Sequence, residues 1–571
     1  MTNPFAAREG VRAPPSWLST LTARFRGAAA YHKLTDPVTA TGDVGEDGRP
    51  LSPLANIGPA GAPVSESAEL PRTMGVLSGS ALVCGLMIGS GIFSTPGVVL
   101  TMTGSAWMAM VYWLLGAFVA MCGALTYVEL GALLPESGGE QVYLDYCIRK
   151  PRQLFGFLFS FCMIACMRPG SIATNAIVFS RYLGYTLYGP ETTAGLAIMT
   201  TAHLDTEPGT LEPPVVLPVP ADQRHLYLLA MACLVIITAI NAVSVKWSLR
   251  ALDLLTWIKV LVLGLVSVTG LIILTGLTNV PRSDLWARGF AGTTPKLHRH
   301  SSAIFSAFWA FDGWHNLNFC LGELKDPARN LPICAVGGIA VTTVLYVFTN
   351  VALFTVLTLD DVLAGQEVLT GTWGTIVFGP FFGRVIIPLA VAVSCAGSIS
   401  AMVFGVSRII VAAGNKGYLP YGRFWARVHP RTGTPVNALL LNLVLVSLYI
   451  LGPPPGEAFR FLVDFVGYPS RLFYGLTVFG FILLRRLEPD LPRPFSVWLP
   501  LPWIFIIVTM FLAIFPFVPP SDGHIIEPNG LPYFFAPLLG ALYVWLGTPF
   551  WYYLVRRRQQ PALHAVSSSA N

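Results

Sequence analysis

The chain has 571 residues, of which 54% are hydrophobic and only 12% charged, with a mean hydropathy of +0.61. Soluble domains carry roughly 25% charged residues, so the composition excludes one and identifies an integral membrane protein. The apolar runs are continuous rather than alternating, which excludes a barrel and leaves an all-α architecture. The net charge of +6 matters only through its distribution.

Residues 1–71 are polar and rich in Pro and Gly, without the apolar core of a signal peptide, and are expected to form a disordered cytoplasmic tail. A membrane domain follows over 72–555, and 556–571 reads as a short cytoplasmic tail. A bilayer core about 30 Å thick takes roughly 20 apolar residues per helix. On that measure twelve transmembrane spans are predicted, near 74–103, 107–134, 153–189, 225–245, 253–276, 302–322, 332–358, 380–412, 435–451, 459–484, 497–518 and 531–555. With the N-terminus inside, the cytoplasmic connections hold Arg149, Lys150, Arg152, Lys246, Arg250, Lys416, Arg485, Arg486 and the Arg556–Arg558 run. The outside connections hold one opposing cluster, Arg282, Arg288, Lys296 and Arg299. The majority places both termini in the cytoplasm.

Span one, CGLMIGSGIFSTPGVVL, is interrupted by Gly89, Ser90 and Gly91. Small residues there permit non-helical dihedrals, and unwinding exposes N–H groups at the positive end of a second half-helix. A carboxylate fits such a site without a cationic side chain. The competing reading is close helix packing through small residues.

The connection PESGGEQVYLDYCIRKPRQ has an amphipathic middle and a basic end, which suits a short helix lying at the cytoplasmic interface. The basic connection NKGYLPYGRFWARVHPRTG reads the same way. In span three, Arg168 precedes a proline that should kink the helix; it either lines a wet cavity or pairs with a carboxylate such as Glu129. Glu129, Glu140 and Glu323 flank cytoplasmic helix ends, where structural ion pairs are expected. The Pro- and Thr-rich stretch 190–224 should be an outside loop. Lys259 lies in span five, within DLLTWIKVLVLG. A lysine taken out of water can give up its proton. It can therefore stand in for a sodium ion between spans one and eight while coupling transport to protons, or it can snorkel to the cytoplasmic interface.

Span six, AIFSAFWAFDGWHNLNFC, is broken at Asp312 and Gly313. Freed carbonyls accept hydrogen bonds from an ammonium group, so the two breaks together suit a zwitterion, an amino acid better than a sugar or nucleobase. Phe308, Trp309 and Phe311 either wall the pocket or pack. Asp312, costly at mid-membrane, either meets the substrate amine, carries a proton or caps the second half of the span. Two broken spans five apart fit an inverted five-plus-five architecture with a binding site at mid-membrane.

The nine cysteines fall in predicted spans or, for Cys147, in a cytoplasmic connection, so no disulfide framework is expected. There is no metal-ligand cluster, no Ser/His/Asp order and no phosphate-binding loop. The sequence therefore points to no enzyme, no cofactor and no nucleic-acid partner. A filter motif is absent too, which argues against a channel.

Four motifs in order, GLMIGSGIFSTPG, YVELGALLPESGGEQVYLDY, FWAFDGWHNLNFCLGELKDPARNLP and SCAGSISAMVFGVSRIIVAAGNKGYLP, closely resemble the L-type amino-acid transporters of the amino acid–polyamine–organocation superfamily. GGEQVYLDYCIRKPRQL, followed by NAIVFSRYLGY, looks most like the fungal high-affinity methionine permeases. The resemblance covers about 72–555 and implies a LeuT-type fold with spans one and six unwound around the substrate. It implies carboxylate binding at Ile88, Gly89, Ser90, Gly91 and Ile92. Amine binding and gating fall at Trp309, Ala310, Phe311, Asp312 and Gly313. Lys259 should face Ser394 and Ser398 of span eight.

Three positions depart from the family pattern: Trp309 stands where Phe is frequent, His315 where Asn is frequent, and Asp312 replaces a small residue, which argues against plain neutral selectivity. The outside loop after span three lacks the cysteine that bonds a heavy chain in animal relatives, so no disulfide-linked partner is expected. Permeases of this type are removed from the surface through N-terminal lysines. Lys33, followed by Asp43, Glu46 and Asp47, is therefore either a ubiquitination site read by a ligase adaptor or part of a solvated charge cluster. The expected activity is import of neutral amino acids, methionine first, by proton symport at the plasma membrane. The alternatives are a sodium-independent exchanger of broader large-neutral specificity and a nutrient-sensing receptor with little transport.

Overall fold

A computed structural model describes residues 72–188, 224–365, 369–452, 458–519 and 532–557. The tail with Lys33, nearly all of the predicted outside loop and residues 558–571 lie outside them. The described residues are helical apart from connections and one isolated bridge between Met74 and Leu324. The first helices are α1 (Val76–Met87), α2 (Gly91–Thr103), α3 (Ala106–Leu133), α4 (Glu140–Cys147), α5 (Leu154–Cys162), α6 (Arg168–Tyr188), α7 (Arg224–Val243), α8 (Val245–Leu274) and α9 (Leu297–Ala310). A 3-10 segment, Asn316–Glu323, leads to α10 (Pro327–Val356), α11 (Leu359–Gly365), α12 (Leu369–Phe378) and α13 (Ile387–Asn415). The last are α14 (Gly422–Trp425), α15 (Val436–Leu451), α16 (Ala458–Leu487), α17 (Pro500–Ile514) and α18 (Phe535–Trp551).

Among the described residues, eight helical segments are long and apolar enough to cross a membrane, or nine when α1 and α2, bent by 43°, count as one. The chain is thus a multi-pass membrane protein. Predicted spans six, nine and ten fall outside that count. α9 stops at Ala310, α15 has 16 residues, and α16, with 30, carries Pro469 and Arg471 in its middle.

Local chemistry explains several boundaries. Ser105 caps α3 by accepting from Met108 N (3.4 Å), and Ser244 caps α8 by accepting from Lys246 N (3.2 Å). α2 ends at Gly104 with φ +74°, the left-handed cap that glycine favours. Pro327 opens α10, where a missing N–H costs nothing. The kink expected at Arg168-Pro169 takes the form of a π-turn, Met163–Met167, that joins α5 to α6. Pro169 has no N–H to give the carbonyl four residues earlier, and the Tyr449 hydroxyl takes that Ala165 carbonyl at 3.0 Å.

α8 shows how the bundle meets lipid. Leu254, Trp257, Leu261, Leu265 and Val268, spaced by three or four, are exposed, while Thr256, Lys259, Leu263 and Ser267 are buried. The apolar face looks outward and the polar face inward, the reverse of a soluble helix. α1 packs against α8, α10 and α13, and α2 against α9, so the two interrupted segments occupy the centre.

The first cytoplasmic connection differs from expectation. α4 does not lie on an interface: Glu140, Gln141, Val142, Tyr143, Leu144 and Cys147 are all buried. Its polar residues find partners inside, Tyr143 donating to Asn318 Oδ1 (2.8 Å) and Gln141 Oε1 accepting from Ser160 (2.8 Å). α14, in the other basic connection, has no buried residue.

Two of the three acidic residues at helix ends form buried ion pairs. Glu129 is held by Arg485, by Arg493 Nε at 3.3 Å and by Val497 N at 2.7 Å. Glu323 Oε1 accepts from Arg408 Nε at 2.6 Å. The third, Glu140, has no such arginine among the described residues. All nine cysteines are buried free thiols.

Candidate functional site

The first break follows from α1 ending at Met87. Ile88 takes φ −75° and ψ 75°, outside the helical basin, and α2 resumes at Gly91. Hydrogen bonding in α2 restarts only at Phe93 N, which donates to Ser90 O at 3.2 Å. The N–H groups of Gly91 and Ile92 therefore have no intrahelical acceptor. Gly91 is required here by close approach, since a Cβ would sit 2.9 Å from Ala310 Cα.

Carbonyls released by the break turn toward α8 and α13. Lys259 Nζ donates to Gly85 O (2.6 Å), Ile88 O (2.7 Å) and Ser398 Oγ (2.8 Å). Ser394 Oγ also donates to Ile88 O (3.1 Å), and Ser398 Oγ lies within reach of Gly85 O (3.0 Å). All three ammonium N–H bonds are thus used, and Lys259, 1% exposed, does not snorkel.

The second break begins as α9 ends. Phe311 N donates to Phe308 O (3.1 Å) and Asp312 N to Trp309 O (3.0 Å), a tightened last turn, before Gly313 at φ +107° reverses the chain. A side chain at Gly313 would be strained and would meet Leu86 of α1, its Cβ 2.5 Å from Cγ. Asp312 does not cap the following segment, whose capping position is His315 without a side-chain bond. Instead Asp312 Oδ1 accepts from the Tyr474 hydroxyl of α16 at 2.8 Å. Tyr346 of α10 joins the two breaks, its hydroxyl reaching Met87 O (2.5 Å) and Ala310 O (3.1 Å).

One cavity lies between the breaks. Gly89, Ser90 and Gly91 line it from one side and Trp309, Ala310 and Asp312 from the other, with Phe305 and Phe308 beside them. Of the remaining expected residues, Ile88, Ile92 and Phe311 are fully buried in the core, and neither they nor Gly313 lines the cavity. Phe311 packs on Tyr346 at 4.9 Å and Trp113 at 6.1 Å between ring centroids. Lys259, Ser394 and Ser398 stand behind the first break, outside the cavity.

Further residues from α6 and α16 join the lining. Arg168 and Asn175 come from α6, and Arg471 and Tyr474 from α16. Of its two alternatives Arg168 takes the first: it lines the cavity and donates to Asn316 Oδ1 at 2.8 Å, while Glu129 belongs to Arg485. Arg471 donates to Gly467 O (2.9 Å) and Leu512 O (3.1 Å) and stacks over Phe305 (4.3 Å). Asn175 Oδ1 accepts from Ser90 Oγ at 3.3 Å. Sequence reasoning missed all three of Arg471, Tyr474 and Asn175; a charge beside Pro469 inside an apolar run is the signal that could have found Arg471, whereas Tyr474 and Asn175 carry none.

The cavity therefore offers orphan N–H groups on one wall, a carboxylate on the other, and two arginines, Arg168 and Arg471. That set complements a small molecule bearing both a carboxylate and an ammonium group. Among the described residues, no group of three or more His, Cys, Asp or Glu is placed to hold a metal ion.

Residues 74–543 match the family model for amino acid permeases. The chain is 32% identical over 457 residues to the b(0,+)-type amino acid transporter 1 of Mus musculus, covering 79% of this chain and 84% of that one. Against the Asc-type amino acid transporter 1 of Homo sapiens, identity is 32% over 477 residues, covering 82% of this chain and 83% of the relative. The high-affinity methionine permease of Saccharomyces cerevisiae is 29% identical over 468 residues, 81% of this chain and 75% of the permease.

Proposed function

Because the chain belongs to the amino acid permease family, we propose that it is a secondary active transporter importing neutral amino acids, methionine first, together with protons. The observation that carries this reading is the abutment of two helix breaks around one cavity, with N–H groups on one side and Asp312 on the other. In this reading the substrate carboxylate sits on the N–H groups of Ser90 and Gly91, where the dipole of α2 is positive. The ammonium group meets Asp312 and the end carbonyls of α9. Phe305, Phe308 and Trp309 enclose the side chain, and Trp309 closes the pocket from outside.

The architecture of this proposal is the LeuT type, with twelve spans over 72–555 and two inverted repeats of five, each opening on a broken span. Both termini lie in the cytoplasm, and the membrane is the plasma membrane. Lys259 holds the carbonyls of α1 as a sodium ion would, with Ser394 and Ser398 completing the shell. Release of its proton frees α1 to move against α13, which couples transport to the proton gradient. Lys33 in the tail is the site through which a ubiquitin-ligase adaptor removes the protein; Lys33→Arg should slow substrate-induced endocytosis, and unchanged endocytosis would exclude it.

The test is counterflow of labelled methionine into liposomes holding the purified protein, with unlabelled analogues as competitors. Methionine should compete, while its methyl ester and its decarboxylated amine should fail. Equal competition by the ester would remove the carboxylate from the recognition scheme. A second reading, obligatory exchange, is favoured by the complete use of the Lys259 N–H bonds, which suits a fixed charge. Exchange predicts stimulation by internal amino acid without pH dependence.

A further inference from the structure

Behind the cavity lies a buried polar cluster that the binding scheme does not use. Glu140, at the start of α4, is fully buried, and no Lys or Arg side chain pairs with it among the described residues. Its Oε1 accepts from the Tyr127 hydroxyl at 3.3 Å and lies 3.9 Å from His315 Nε2, while Oε2 has no hydrogen-bond partner. His315 is 2% exposed, and its Nδ1 has no partner either. Tyr474 links this pair to the cavity. Its hydroxyl is 3.3 Å from His315 Nε2 and 2.8 Å from Asp312 Oδ1.

An ionised carboxylate buried without a cation is costly. Glu129 and Glu323 meet that cost with arginines; Glu140 has an imidazole instead. The groups facing the pair are Tyr127 from α3, Tyr143 from α4, Arg168 from α6, Asp312 at the second break and Tyr474 from α16, while Arg471 of α16 faces Asp312 and Cys320 of the 3-10 segment faces Arg168. Tyr143 is engaged with Asn318 at 2.8 Å, and Arg471 with the two backbone carbonyls named above. Arg168 acts on Asp312 and Glu140 alike but hydrogen-bonds to Asn316 rather than to either carboxylate. Arg168 and Arg471 both act on Asp312, whereas Arg168 alone acts on Glu140.

Building on the symport reading, we propose that His315 and Glu140 form a proton-binding site loaded from the substrate cavity through Asp312 and Tyr474. An arriving ammonium group favours ionised Asp312. The Asp312 O–H bond breaks and its proton passes to the Tyr474 oxygen, while Tyr474 hands its own hydroxyl proton to His315 Nε2. The products are an Asp312 carboxylate facing the ammonium, an unchanged tyrosine, and an imidazolium paired with Glu140. The proton moves from the cavity toward the end of the bundle where α4 sits, and substrate binding itself drives the step.

The test uses the full-length protein in methionine-free liposomes containing a pH-sensitive dye, with net uptake of labelled methionine followed in parallel and counterflow into methionine-loaded liposomes as a separate control. Proton entry per methionine should be lost in Glu140→Gln and His315→Gln and retained in Glu140→Asp, which keeps a carboxyl group. Either neutral variant carrying protons at the wild-type ratio, whatever its overall rate, overturns the proposal. A wild type that takes up methionine without proton entry, or moves it only by counterflow, overturns it together with symport and leaves amino acid transport standing. A wild type without counterflow refutes the transport reading itself.

Discussion

Replacing Lys259 by Met removes one charge and keeps the length of the side chain. In the native protein its Nζ donates to Gly85 O at 2.6 Å, Ile88 O at 2.7 Å and Ser398 Oγ at 2.8 Å. Hydrogen bonds to a charged group contribute about 1.5–3 kcal/mol each, so three set an upper bound of about 5–9 kcal/mol. The carbonyls are not wholly abandoned, because Ser398 Oγ stays 3.0 Å from Gly85 O and Ser394 Oγ 3.1 Å from Ile88 O. With that backup the cost falls to about 2–4 kcal/mol, near the lower end for breaking a buried charged contact. At about 1.4 kcal/mol per decade, the population with α1 held correctly should fall about 30- to 700-fold. Methionine counterflow in liposomes reads this directly, with monodispersity in detergent as the folding control. Counterflow in Lys259→Met within about threefold of wild type, less than 1 kcal/mol, would refute the role assigned to the ammonium. So would residual uptake with undiminished acid stimulation.

Gly91→Ala places a methyl 2.9 Å from Ala310 Cα, a backbone atom that cannot yield cheaply. Overpacking of this kind costs about 1–3 kcal/mol and should raise the KM for methionine, whereas Gly337→Ala, with nothing within 4 Å of the added carbon, should not. Asp312→Asn keeps an acceptor for Tyr474 but loses the charge. Uptake should drop about tenfold or more, the effect of losing one charge-assisted bond, and near-normal uptake would eliminate a role for the charge. Arg485→Gln leaves Glu129 buried with less compensation and should lower stability by about 3–5 kcal/mol, seen as a lower Tm in detergent. Glu129→Gln in the same chain should recover part of it.

The two breaks were legible because Gly89-Ser90-Gly91 and Asp312-Gly313 interrupt apolar runs where a helix has every reason to continue. The α8 lysine was legible as a charge out of place, and its partners on α13 through resemblance. What escaped was set by packing between distant segments. Tyr346 reads as an ordinary tyrosine of an apolar span, yet it ties Met87 to Ala310. Phe311 sits beside the cavity residues in sequence but turns into the core against Trp113. α4 has the pattern of an interfacial helix, and only its contacts with Asn318 and Ser160 reveal that it is buried. Side-chain specificity was not readable from spacing, since the walls from α6 and α16 converge only in three dimensions. Identities of 32% to an animal transporter and 29% to the yeast methionine permease do not separate substrates either.

The most direct measurement is uptake of labelled methionine by permease-deficient yeast expressing this chain, at acid and neutral external pH, with and without a protonophore. Uptake that is faster in acid and abolished by the protonophore is the predicted result. Uptake indifferent to pH but driven by preloaded amino acid would contradict symport and make the protein an exchanger.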